Sequence, residues 1–255
     1  MSWLITGTQK IDPDAAVYLS RVEAADGQSL EAGIKSAIET FIVGCKTDGN
    51  WSAIRASYLL CCARTLTGAL IPLVGPDATS VGFVSGNYNR KTGLLCGVGR
   101  YLRTGIADDS LPQDNFHMSL FGSFVNAGIT TAQAGVYTAS THSVLYQVTN
   151  LLYATNRRTG GALGALTPAS PCFLGSSRST SAGYTIRGNQ VTSSQTSASV
   201  TPSSLEHIAC GVNNNGTLTG TSASNIMFYS LGTAVDLVAL ESRLLTLKTA
   251  IDALP

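Results

Sequence analysis

Residues 117–125 read HMSLFGSFV, with Met118, Leu120, Gly122 and Phe124 at every second position. Side chains on a strand alternate between faces, so the spacing predicts a strand with those four residues on one face. Similar runs recur downstream: SVLYQVTNLL from Ser143, PCFLGSS from Pro171, GYTIRG from Gly183, LEHIACGV from Leu205 and NIMFYSLG from Asn225. In GYTIRG, Tyr184 and Ile186 repeat the two-residue period. Turn signals separate the runs, at Gly86-Asn87, Asp108-Asp109, Asn126 to Gly128, Gly160-Gly161, Gly188-Asn189 and Asn213 to Gly216. Within them, TIRGNQVT reads as a tight hairpin with Gly188-Asn189 at its centre. Many short strands with regular turns predict a mainly β protein, a two-sheet antiparallel jelly-roll sandwich. No internal repeat of fixed period accompanies them.

The chain changes character on both sides of this region. Asp12-Pro13 places an N-cap acid before a proline at the first helical position, and Ala15, Tyr18, Leu19 and Val22 follow at helical spacing up to Asp26-Gly27. A second amphipathic helix is expected over residues 29–46, with Leu30, Ile34, Ile38, Phe41, Ile42 and Cys45 on one side. From Ser57 the stretch SYLLCCARTLTGALIPLVG is apolar but broken by Gly68, Pro72 and Gly75, which suits two short buried strands. The last twenty residues, DLVALESRLLTLKTAIDALP, carry Leu237, Leu240, Leu244, Leu247, Ile251 and Leu254 at alternating spacings of three and four. Thr233 and Asp236 resemble a capping box at the start of that helix. Such a stripe suits either an assembly seam with another chain or packing on the protein's own sheet. The chain therefore divides into an N-terminal helical docking segment (1–56), a sandwich (57–232) and a C-terminal amphipathic helix (233–255).

Composition limits the function. The 255 residues are 44% hydrophobic and 12% charged, with a net charge of +1, so polarity is carried by hydroxyls and amides. That balance gives no reason to expect nucleic-acid binding. No run of eighteen apolar residues and no signal peptide is present, so membrane insertion and secretion are not expected. The six cysteines, Cys45, Cys61, Cys62, Cys96, Cys172 and Cys210, show no metal-ligand spacing and are read as free buried thiols.

Catalytic patterns are missing too. Glycan cleavage needs a pair of carboxylates, and residues 81–230 offer Asp108, Asp109, Asp114 and Glu206. Asp108 and Asp109 sit in a turn-like stretch that lacks a calcium-loop pattern. His117, His142 and His207 are isolated, and no G-x-S-x-G elbow or phosphate loop occurs. The chain is read as a binding protein without catalysis, metal or cofactor. Tyr88, Tyr101, Tyr137 and Tyr153 lie near turns, where aromatic faces grip sugar rings. Arg157-Arg158 lies between an apolar run and a Gly-Gly turn and is expected to face solvent. Tyr88, Tyr101, Arg157 and Arg158 are the candidate glycan-binding residues.

Residues 82–94, GFVSGNYNRKTGL, and 173–187, FLGSSRSTSAGYTIR, resemble segments of laminin-G/concanavalin-like domains in bacteriophage structural proteins. The N-terminal DGQSLEAGIKSAIETFIVGCKTDGNWSAIRAS resembles the helical lead-in to such domains, and IMFYSLGTAVDLVALESRLLTLKTAI resembles their closing strand and helix. The resemblance covers roughly residues 12–251 and supplies no catalytic motif. It implies a lectin-like jelly roll on a virion, as a capsid decoration or short fibre assembled in the host cytoplasm. Its expected partners are other virion proteins, a second copy of the chain, or a host surface glycan.

Overall fold

The computed structural model describes residues 11–124, 130–160, 163–167, 169–219 and 223–253. The helices are α1 (Pro13–Asp26), α2 (Ala32–Thr47), the four-residue α3 (Leu66–Ala69) and α4 (Leu237–Asp252). The strands begin with β1 (Ile54–Leu59), β2 (Pro72–Val74), β3 (Thr79–Val81), β4 (Tyr88–Asn89), β5 (Gly93–Leu95) and β6 (Tyr101–Ala107). Next come β7 (Phe116–Ser123), β8 (Thr130–Tyr137), β9 (His142–Val148), β10 (Leu151–Arg158), β11 (Leu163–Leu166) and β12 (Cys172–Arg178). The chain closes with β13 (Gly183–Gly188), β14 (Val191–Thr196), β15 (Glu206–Ala209), β16 (Val212–Asn214), β17 (Thr217–Thr219) and β18 (Asn225–Gly232).

The strands form two sheets packed face to face. The first runs β14-β13-β12-β7-β18-β1-β2, with β5 also on β18 and β4 on β5. The second runs β11-β10-β9-β8-β15-β6-β3, with β16 also on β8 and β17 on β16. Pairing is antiparallel apart from the parallel β16–β8 contact. The stretch 117–124 is central. β7 lies between β12 and β18, and its Met118 and Leu120, with Phe124 just beyond it, enter the core between the sheets. There they meet Leu145, Leu152, Ala154 and Ala209 of the second sheet. The alternate residue Phe121 points the other way, into a helical layer.

That layer joins the two ends of the chain. Tyr18 and Val22 of α1, Ile34, Ile38 and Phe41 of α2, and Leu240, Leu244 and Leu247 of α4 close over Phe121, Phe173 and Phe228. Phe41 meets Phe228 edge to face, with ring centres 5.7 Å apart. Asp48 and Arg243 tie α2 to α4 through two hydrogen bonds of 2.8 and 2.9 Å. Within the described residues, β1 already starts at Ile54, and α1 and α2 share one core with the sheet.

Asp12 caps α1 by accepting from the amides of Asp14 and Ala15, with Pro13 behind it, as expected. Asp236, not Thr233, caps α4, because Thr233 Oγ1 donates to the Ala53 carbonyl instead. The 57–75 stretch yields β1, α3 and β2 rather than strands alone. The TIRGNQVT hairpin turns at Asn189-Gln190, one residue later than expected, and both residues have positive φ (48° and 63°). That is the two-residue turn whose twist matches the flanking strands. Two of the cysteines are not free thiols: Cys96 and Cys210, 114 residues apart, form a disulfide.

The leucine stripe is not an exposed seam. Leu237, Leu240, Leu244, Leu247 and Ile251 are buried under the chain's own sheet and α2, because the apolar side of α4 completes the layer over β18. Leu254 lies outside the described residues.

Candidate functional site

The two sheets expose opposite surfaces. Helices cover the outer side of the first sheet, whereas no helix among the described residues packs on the outer side of the second. Register decides what that open side carries. The β9–β10 hairpin turns at Thr149-Asn150, with Thr149 at φ 51°, and pairs Val148 with Leu151 and Leu145 with Ala154. Since Leu145, Leu152 and Ala154 point into the core, Tyr146, Tyr153 and Val144 point outward. Tyr146 and Tyr153 are directly opposite and stack, with centres 5.5 Å apart and planes at 17°. Ala132 and Val212 join Val144 around the Tyr146 ring, a small apolar patch separate from the core.

A second ring pair lies farther along β9. Tyr137 of β8 opposes His142 and stacks on it with centres 4.1 Å apart. At about 3.3 Å per strand residue, the four steps from His142 to Tyr146 span roughly 13 Å. Tyr137 is 39% exposed, and Tyr146 and Tyr153 are half-buried. Farther across the sheet lies Tyr101 of β6, and the exposed Arg103 pairs with Glu206 at 2.7 Å.

Burial holds the His142 imidazole below its usual pKa, opposed by the bond its Nδ1–H donates to the Gly160 carbonyl. Burial, then the neighbouring tyrosines, pushes the Tyr146 phenol up to about 12. The result is flat ring faces with hydroxyls at their edges and an ion pair to one side. Such a surface suits a ligand with both C–H faces and hydroxyl groups.

The structure sorts the expected site residues. Tyr101, Tyr137 and Tyr153 share the second sheet. Arg158 stands opposite His142 and also approaches the Tyr184 hydroxyl. Tyr88 belongs to the other sheet, and its hydroxyl donates to the Ala63 carbonyl at 2.7 Å. Tyr146 was missing from the expected set. Its signal was the two-residue turn at 149–150, which fixes Tyr146 opposite Tyr153.

Arg157 corrects the expectation of a solvent-facing pair. The register slips between Thr155 and Arg158, and Arg157 takes a φ of 48°, a bulge that turns its side chain inward. It is fully buried, lies 4.4 Å over the Phe116 ring, and donates to the carbonyls of Asp108, Leu111 and Pro112. Its Nη2 also lies 3.0 Å from the Asp108 carboxylate, which His207 Nε2 reaches at 3.1 Å. Asp108 is therefore more than a turn residue. Burial opposes its charge, but the bond from His207 and the nearby Arg157 guanidinium hold its carboxyl below the usual value. Asp108, Arg157 and His207 are all 0% exposed, so this cluster clasps loops together and presents nothing to a ligand.

No family model matches the chain, and no curated protein matches it. Solved structures share its fold. The botulinum neurotoxin serotype D binding domain is 10% identical with a TM-score of 0.51, over 76% of this chain and 51% of that one. The Trypanosoma rangeli sialidase in complex with 2,3-difluorosialic acid is 11% identical with a TM-score of 0.51, over 84% of this chain and 38% of that one. The chain thus spans about half of the first protein and less of the second. At this identity the likeness establishes a β-sandwich fold and nothing finer.

Proposed function

We propose that the chain is a non-catalytic binding module whose open sheet face holds a surface glycan, displayed on a bacteriophage particle as a capsid decoration or short fibre. The observation that carries the binding reading is the asymmetry of the sandwich. One face is closed by helices, and the other presents the stacked pairs Tyr146–Tyr153 and Tyr137–His142. Support for the particle comes from the stretches at 82–94 and 173–187 that resemble phage structural domains. One similar fold is named a binding domain, and another is a sialidase holding a sialic-acid analogue. Of the acids considered for cleavage, Asp108 is buried in its clasp and Glu206 is paired with Arg103.

A panel of bacterial surface glycans tests the reading. Saturable binding is expected, weakened about tenfold or more by Tyr153→Ala and by Tyr137→Ala, which is the loss of about 1.4 kcal/mol each. Glycans incubated with the protein should keep their length. No binding to any glycan, or binding indifferent to both substitutions, overturns the glycan reading. The particle reading requires the protein to add at fixed stoichiometry to phage capsids or tails lacking it; failure on every subassembly ends it.

A further inference from the structure

A sheet ends in strands whose outer backbone groups lack partners, and proteins shield such edges with brevity, proline, bulges or charge. Most edges here are shielded in this way. β2 is three residues long and begins with Pro72, β3 is three residues long, and β11 pairs in an irregular register. β14 is different. It is six residues long, VTSSQT, and pairs with β13 without a break from Gly183–Thr196 to Gly188–Val191. It contains no charge and no proline, and Val191, Thr192, Ser194 and Thr196 are exposed. Among the described residues, no strand lies on its outer side.

We propose that β14 is a self-pairing edge, through which two copies of the chain join antiparallel about Ser194. Opposite residues of an antiparallel pair share a face, so identical strands must pair about a residue rather than between two. Centred on Ser194, the pairing sets Thr192 against Thr196 and Ser193 against Gln195. Val191 then falls opposite Ser197, every pair within 192–196 is hydroxyl or amide, and none repels. Arg187, opposite Thr192 on β13, donates to the Thr192 hydroxyl and pairs with Glu241 of α4 at 2.6 Å. This self-complementarity favours a second copy over an unrelated peptide. The two-fold axis stands normal to the first sheet and leaves both open aromatic faces on the same side of the dimer. On the glycan reading, that arrangement binds a glycan-coated surface through two sites at once.

Sedimentation or light scattering across micromolar to millimolar concentration tests the edge without any glycan. The wild-type mass is expected to double with concentration. Ser194→Lys sets like charges opposite each other at the axis and should leave a monomer with an unchanged circular dichroism spectrum, since Ser194 is exposed. Opposed Cα atoms in such a pair lie about 4.5–5.5 Å apart, within reach of a disulfide. Ser194→Cys is therefore expected to cross-link two chains under mild oxidation. A wild-type monomer at every concentration overturns the proposal. So does a dimer that survives Ser194→Lys, or one that Ser194→Cys fails to cross-link.

Discussion

His117 sits on β7, beneath the segment that leads into α4, with no exposed surface. Its Nδ1–H donates to the Thr233 carbonyl, and its Nε2 meets the Ser230 hydroxyl, which also bonds Ser119. Burial pulls its pKa down to about 4, against the Thr233 bond that raises it. The neutral form is thus the folded form, and the unfolded chain takes up a proton first as pH falls below about 6.5. Stability from this group is complete above that pH, declines through the window down to about 4, and is gone below it. The separation corresponds to about 3 kcal/mol. Urea unfolding at stepped pH should show that decline, and His117→Asn, although weaker at pH 7, should flatten it. An equal slope in both proteins would place the acid sensitivity elsewhere. Arg157 marks the limit of sequence reading at this scale. Strand alternation alone makes it a surface residue, and only the bulge at φ 48° reverses that.

Elements were legible where a local rule decides them. Asp12-Pro13 marks the start of α1, and the two-residue period of 117–125 marks β7, because capping and alternation depend on neighbours in sequence. The start of α4 was less legible. Thr233 and Asp236 both qualify as caps, and what separates them is the distant Ala53 carbonyl that occupies Thr233. The partner of the leucine stripe was also open, since an apolar arc does not say what covers it. With the helical layer in view, α4 is a lid on its own sheet: Leu244 is 2% exposed and packs in the cluster with Phe41 and Phe228. Leu244→Ala is accordingly expected to lower the unfolding free energy by about 2–5 kcal/mol, the range for emptying a packed leucine site. A loss under about 0.5 kcal/mol, as surface substitutions give, would mean that α4 is not integral to the core.

For the molecule as a whole, the sandwich class could be read from turn spacing, whereas the strand order and the asymmetry of its faces could not. Both depend on contacts between residues far apart in the chain, such as β1 pairing with β18. The open aromatic face follows from that asymmetry, so it was only half visible as scattered tyrosines. The Cys96–Cys210 bridge belongs to the same scale. Cys96 follows β5 of the first sheet and Cys210 follows β15 of the second, so the bond staples the sheets across a separation of 114 residues. Closing a loop of that size restricts the unfolded chain by about 4–5 kcal/mol in the chain-entropy account, with less delivered where the unfolded chain keeps structure. Urea unfolding with and without dithiothreitol should therefore show a lower midpoint on reduction, and Cys96→Ala and Cys210→Ala should each reproduce it. Because the helical layer and the core between the sheets share β7, β12 and β18, the reduced protein should still unfold in one transition. Two separate transitions on reduction would show instead that the second sheet is held to the first mainly by the bond, with the core between them contributing little.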